Sequence, residues 1–88
     1  MGRDIQWRGD AWEEYCEWQR IDKAIARRIN ELIKDTRRDP FRGVGKPEPL
    51  KHDLSGLWSR RISETERLVY CLHNDMLIIV SCKGHYKN

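Results

Sequence analysis

One carboxylate set among many cations is the combination that holds a phosphodiester and moves protons on it. Residues 46–70 carry that combination. Glu48 stands between Pro47 and Pro49, whose fixed φ pre-sets the surrounding backbone. Lys51 and His52 follow, and strand-like segments beyond them carry Arg60, Arg61 and Arg67. RNA can be cut without a metal when its own 2′-hydroxyl becomes the nucleophile. That needs a base at the 2′-OH, cations on the phosphate and an acid at the leaving 5′-oxygen. Glu48 is the candidate base.

Arg60 and Arg61 are adjacent on one strand, so they point to opposite faces. Arg60 shares its side with Trp58 and Ile62, which marks it for the core edge or an interface. Arg61, with Ser59, is the better cleft candidate. Arg67 opens the next strand and could clamp a phosphate bidentately, and an ion pair with Glu64 or Glu66 is the competing use. Lys46 and Lys51 widen the positive patch. His85 and Tyr86 follow the last strand, where a histidine could donate a proton and a tyrosine could stack on a base. The plainer alternatives are an exposed loop glutamate for Glu48 and a frayed tail for His85 and Tyr86.

The elements that must position these residues follow from periodicity. Ile5 and Trp7 alternate in a short first strand that Gly9 ends. Asp10 and Glu13 read as an Asp form of the capping box. The helix they open shows Trp12, Tyr15, Cys16 and Gln19 on one face, with a kink or new cap at Ile21–Asp22. Ile25, Ile29, Leu32 and Ile33 then keep the spacing of a second amphipathic helix, to about Arg38, before Pro40. Its basic run, Arg27, Arg28, Lys34, Arg37 and Arg38, reads as a solvated face that could grip phosphates. Residues 40–49 form an irregular loop, and Leu50 to Asp53 a brief strand. Leu57 to Ser63 and Glu66 to His73 are further strands, and Asn74–Asp75 turns the chain into the apolar run from Met76 to Cys82. The expected class is α+β: an N-terminal strand and a helical hairpin packed on a small, mainly antiparallel sheet.

Eighty-eight residues make one domain with a thin core, which a partner chain or a self-dimer would help. No apolar run is long enough to span a membrane, and the N-terminus has no signal-peptide character. Cys16, Cys71 and Cys82 are odd in number, lack metal-like spacing and sit in apolar surroundings. A reduced, cytoplasmic protein without metal or cofactor is expected. The net charge of +3 is polarised, −3 over residues 1–22 and +6 over the rest, which favours a polyanionic partner on one face.

Several blocks together resemble one family. Ile29-Asn-Glu-Leu-Ile-Lys-Asp-Thr-Arg-Arg with Pro40-Phe, Gly45-Lys-Pro-Glu-Pro-Leu-Lys-His, Leu54-Ser-Gly-Leu-Trp-Ser-Arg-Arg-Ile and Arg67-Leu-Val-Tyr are similar to the YoeB (Txe) toxins of the RelE/ParE superfamily. The resemblance spans Trp7 to Tyr86. It implies a microbial-RNase-like domain that cleaves mRNA in the ribosomal A site and is held inactive by a YefM-type antitoxin. It implies Glu48 as general base, Arg67 on the phosphate, His85 as general acid and Tyr86 stacking on the nucleotide. Lys51 and Arg61 would be supporting phosphate contacts, and homodimers occur in this branch. The chain departs from the family pattern at Lys83-Gly84, where a bulkier residue is expected before His85, and in Lys87-Asn88 after the usual His-Tyr ending. The competing functions are a gyrase-directed toxin of the same fold, as in the ParE branch, and a non-catalytic RNA-binding module.

Overall fold

The structure, a computed structural model, describes residues 2–84. The chain runs β1 (Ile5–Trp7), α1 (Ala11–Ile21), α2 (Lys23–Arg38), β2 (Glu48–Pro49), a 3-10 turn (His52–Leu54), β3 (Trp58–Arg61), β4 (Arg67–His73) and β5 (Met76–Ser81). The strands form one sheet in the order β1-β5-β4-β3-β2. Among the described residues only β1 is parallel to its neighbour; the other pairs are antiparallel. The α+β expectation holds.

The interior position of β5 explains its apolar run: Leu77, Ile78 and Ile79 are buried between β1 and β4. Asn74 and Asp75 both take positive φ, 50° and 62°, the backbone of a tight hairpin whose twist suits the flanking strands. One face of the sheet presents Trp58, Ile62, Leu68, Tyr70, Leu77 and Ile79 to the helices, where Ile29, Leu32 and Ile33 meet them. Asp22 separates the helices and caps α2, accepting from the Ala24 and Ile25 N–H groups at 3.1 Å each.

Four local expectations are corrected. Asp10 lies at φ −88°, ψ 4° and its side chain makes no capping bond, so no capping box forms. The inward face of α1 is Ala11, Tyr15 and Trp18, while Trp12, Cys16 and Gln19 are exposed. Trp18 is drawn in because its indole N–H reaches the Cys82 carbonyl at 2.9 Å. Of the cysteines only Cys82 is buried, and burial pushes its thiol up to about 12. The strand expected at 50–53 is instead Glu48–Pro49 followed by the 3-10 turn, because His52 takes φ 58° and breaks extended pairing.

The interior also holds a charge. Arg60 is wholly buried, and all five of its guanidinium donors are matched. Nε donates to Tyr70 Oη, NH1 to Asp35 Oδ2 at 2.7 Å and Val44 O, and NH2 to the Asp39 and Arg42 carbonyls. Tyr70 Oη in turn donates to Pro40 O at 2.6 Å. The hydrogen-bonded Arg38 guanidinium, with Arg60 and the Val44 N–H, holds the Asp35 carboxyl at about 2 against the opposing effect of burial.

Asp35→Ala leaves Arg60 buried without a counter-charge and is expected to cost about 3 kcal/mol, read as a lower urea midpoint. Because the folded pKa of Asp35 is depressed, its contribution is complete above 3.8 and disappears as the pH falls through about 2. The melting-temperature gap between wild type and Asp35→Asn should therefore narrow between those two pH values.

Candidate active site

Directly opposed residues of an antiparallel pair share a face, so the register places the candidate residues. Glu48 on β2 opposes Ser59, Ser59 opposes Val69, and Val69 opposes Ser81. One row along, Arg61 opposes Arg67. All lie on the sheet face turned away from the helices, since Arg60 and Leu68 between them point into the core. Glu48, Arg61 and Arg67 thus come from three adjacent strands onto one surface. With strands ~4.8 Å apart and ~3.3 Å per residue, the Glu48 and Arg67 backbones lie roughly 12 Å apart.

Glu48 sits on a two-residue edge strand rather than in an irregular loop. Pro49 has no N–H, which an edge strand tolerates. The Glu48 side chain is exposed and has neither hydrogen bond nor ion pair among the described residues. Upstream, the backbone is fixed by the Arg60 cluster and by Gly45 O, which accepts from the Arg61 N–H at 2.7 Å. Gly43 and Gly45 are needed there: their φ values are 123° and 84°, and a Cβ at Gly43 would collide with the Asp35 carboxylate.

Arg61 is exposed, as its alternation with Arg60 predicts. Arg67 is 9% exposed and makes no ion pair with Glu64 or Glu66, the competing use. Its NH1 donates instead to Ser63 O at 2.7 Å, Glu66 O at 3.1 Å and Glu64 O at 3.3 Å, tying off the β3–β4 turn. Among the described residues, Nε and NH2 make no hydrogen bond, so one edge of the fork remains for an anion. Two arginines directly opposed on a sheet repel, and an anion between them would relieve that.

Lys46, Lys51 and His52 are exposed. Much of the α2 basic run is engaged in the fold: Arg37 donates to Arg3 O at 2.7 Å, Arg38 pairs with Asp35 at 2.7 Å, and Arg28 lies 3.7 Å from Glu31. His85 and Tyr86 lie outside the described residues. Among the described residues no group of three or more His, Cys, Asp and Glu side chains could hold a metal, and no helix is long and apolar enough to cross a membrane. Sequence reasoning missed Asp35, whose nearest signal was its i, i+3 spacing to Arg38. It also missed Glu66, Glu14 and Trp18 as anchors of the C-terminal stretch, because those contacts reach to residues 18 to 68 positions away.

Solved bacterial toxins share this fold. A YoeB dimer from Staphylococcus aureus superposes at a TM-score of 0.89 with 41% identity, covering 98% of this chain and 100% of that one. A YoeB–YefM complex from the same organism matches at a TM-score of 0.87 with 40% identity and the same coverage. A helical hairpin on a five-stranded mixed sheet is the fold this chain shares with these YoeB proteins. In sequence, Toxin YoeB of Escherichia coli strain K12 is 60% identical over 80 residues, 91% of this chain and 95% of that protein. The profile of YoeB-like toxins of bacterial type II toxin-antitoxin systems matches residues 7–86, and the chain belongs to the YoeB toxin family.

Arg61→Gln removes one of the two opposed positive charges. Its stability at low salt is expected to equal or exceed that of wild type by a few tenths of a kcal/mol. Added phosphate should raise the wild-type melting temperature more than that of the variant, as thermal unfolding with and without the anion will show.

Proposed function

We propose that this toxin is a ribosome-dependent, metal-independent endoribonuclease that cuts mRNA in the ribosomal A site and so stops translation. The observation that carries the reading is the exposed, unpaired Glu48 carboxylate on the same sheet face as Arg61 and Arg67. Glu48 takes the proton of the 2′-hydroxyl, and the 2′-oxygen attacks the adjacent phosphorus. Arg67, with Arg61 and Lys51 in support, stabilises the charge that builds on the phosphoryl oxygens. His85 gives a proton to the departing 5′-oxygen, leaving a 2′,3′-cyclic phosphate and a free 5′-hydroxyl. Tyr86 stacks on the nucleotide and holds it in line.

The acid and base act at opposite ends of one displacement, so neither can replace the other. Family membership supports restraint of the activity by a YefM-type antitoxin and self-association as a homodimer. The ribosome presents the mRNA in single-stranded form, so no duplex has to be opened before the 2′-hydroxyl can be reached. A gyrase-directed or purely RNA-binding role has no need of an unpaired carboxylate facing two arginines.

Mapping mRNA 3′ ends after expression of wild type and of a Glu48→Gln, His85→Gln double variant tests this. Wild type is expected to give cuts within codons occupying the A site, and the double variant none. Intact mRNA with wild type would sink the nuclease reading. Cleavage of naked RNA as fast as ribosome-bound RNA would remove the ribosome from it. Glu48→Gln alone should slow single-turnover cleavage about 10²- to 10⁴-fold, the usual contribution of a positioned base.

A further inference from the structure

Residues Cys82–Gly84 follow the end of β5 and immediately precede His85, and all six of their backbone polar groups are matched. Cys82 N–H donates to Glu14 Oε1 at 2.9 Å, and Cys82 O accepts from the Trp18 indole at 2.9 Å. Ser81 Oγ accepts from Lys83 N–H at 3.3 Å and donates to Lys83 O at 2.9 Å. Gly84 N–H donates to Glu66 Oε1 at 2.7 Å, and Gly84 O accepts from the Arg67 N–H at 2.9 Å. The peptide groups of Gly84 are therefore clasped by two consecutive residues, one through a side chain and the other, Arg67, through its backbone.

Strand pairing does not account for this order, because the β4–β5 register ends at Val69↔Ser81. Gly84 takes φ 108°, a conformation that L side chains rarely adopt, and a glycine left unheld loses more freedom on ordering than any other residue. Glu66 opposes that loss with a short, charge-assisted bond to the Gly84 amide. Its carboxylate is available for this because it makes no ion pair with Arg67 or any other described residue.

We propose that Glu66 is a positioning residue for the proton donor, fixing beside Arg67 the peptide from which residue 85 continues. The proposal rests on the reading of His85 as general acid and adds to it the group that holds the acid's attachment point. Glu66 touches neither the substrate nor the reacting atoms, and it acts only through His85.

Single-turnover cleavage of mRNA on programmed ribosomes, with full-length toxin, tests this. Glu66→Ala is expected to lower the maximal rate roughly tenfold or more, a share of what a general acid supplies, with the half-saturating ribosome concentration unchanged. Glu66→Gln keeps an oxygen acceptor and should restore the rate to near that of wild type, together with protection of the Gly84 amide from hydrogen exchange. In a His85→Gln background, Glu66→Ala should add little further loss, because the two act as one unit. A full additional loss in that background would overturn the proposal. So would a wild-type rate for Glu66→Ala alongside a slow His85→Gln. An unchanged rate for His85→Gln overturns the reading of His85 itself, and the proposal with it. Where Glu66→Ala is too unstable to assay, Glu66→Asp keeps the charge but shortens the reach. A slow Glu66→Asp that melts like wild type supports the proposal, and a fast one overturns it.

Discussion

A guanidinium with no exposed surface must find an acceptor for each of its five N–H groups or leave a buried charge unsolvated. Arg60 meets this demand with one carboxylate, one phenol and three backbone carbonyls. Those carbonyls belong to Asp39, Arg42 and Val44, in a stretch with no regular structure of its own. The loop therefore takes its shape from the charge it surrounds. The same stretch continues through Gly45, bonded to the Arg61 N–H, into the edge strand that carries Glu48. The position of a surface carboxylate is thus set by a buried cation on the other side of the sheet.

Arg60 and Arg61 divide two duties between adjacent positions of one strand. Alternation sends the first into the core and the second to the opposite face, so one short strand supplies both the anchor of the loop and a cation of the candidate site. Opposing Arg61 to Arg67 is unfavourable in the free protein. Part of that cost is offset because three carbonyls of the β3–β4 turn accept from Arg67 NH1, which also rigidifies the turn. Arg67 is consequently both a structural residue and a candidate phosphate contact. Substitutions there would confound stability with activity, whereas Arg61 and Glu48, both exposed, separate them.

The strand and helix order was legible because periods of 2 and 3.6 are local properties. Ile25, Ile29, Leu32 and Ile33 announce the buried face of α2, and the continuous run of β5 announces a strand buried on both faces. In α1 the pattern allowed two faces, since Ala11, Tyr15 and Trp18 carry helical spacing as well as Trp12, Tyr15, Cys16 and Gln19. A bond between Trp18 and Cys82, 64 residues away, decided between them. The burial of Arg60 could be read from its sharing a side with Trp58 and Ile62, but its partner Asp35, 25 residues earlier, could not. Glu48 was legible as a candidate through its prolines and its charged surroundings. Its strand was not, because two residues have no periodicity and take their conformation from β3.

These supports fall into two groups that meet at one turn. The Arg60 cluster holds the β2 end, where Glu48 lies, and Glu14, Trp18 and Glu66 hold the stretch that ends at Gly84. Between them stands the β3–β4 turn, where Arg67 bonds three carbonyls with its side chain and Gly84 with its backbone. A carboxylate on the edge strand and the approach to a C-terminal histidine are thus fixed relative to one arginine. None of the three is placed by its sequence neighbours alone. Local helix or hairpin formation cannot bring these candidate residues together, which requires β2, β3, β4 and the segment after β5 to be docked together. A ligand that pulled either margin away from the sheet would separate the candidate residues without touching Glu48 or Arg67.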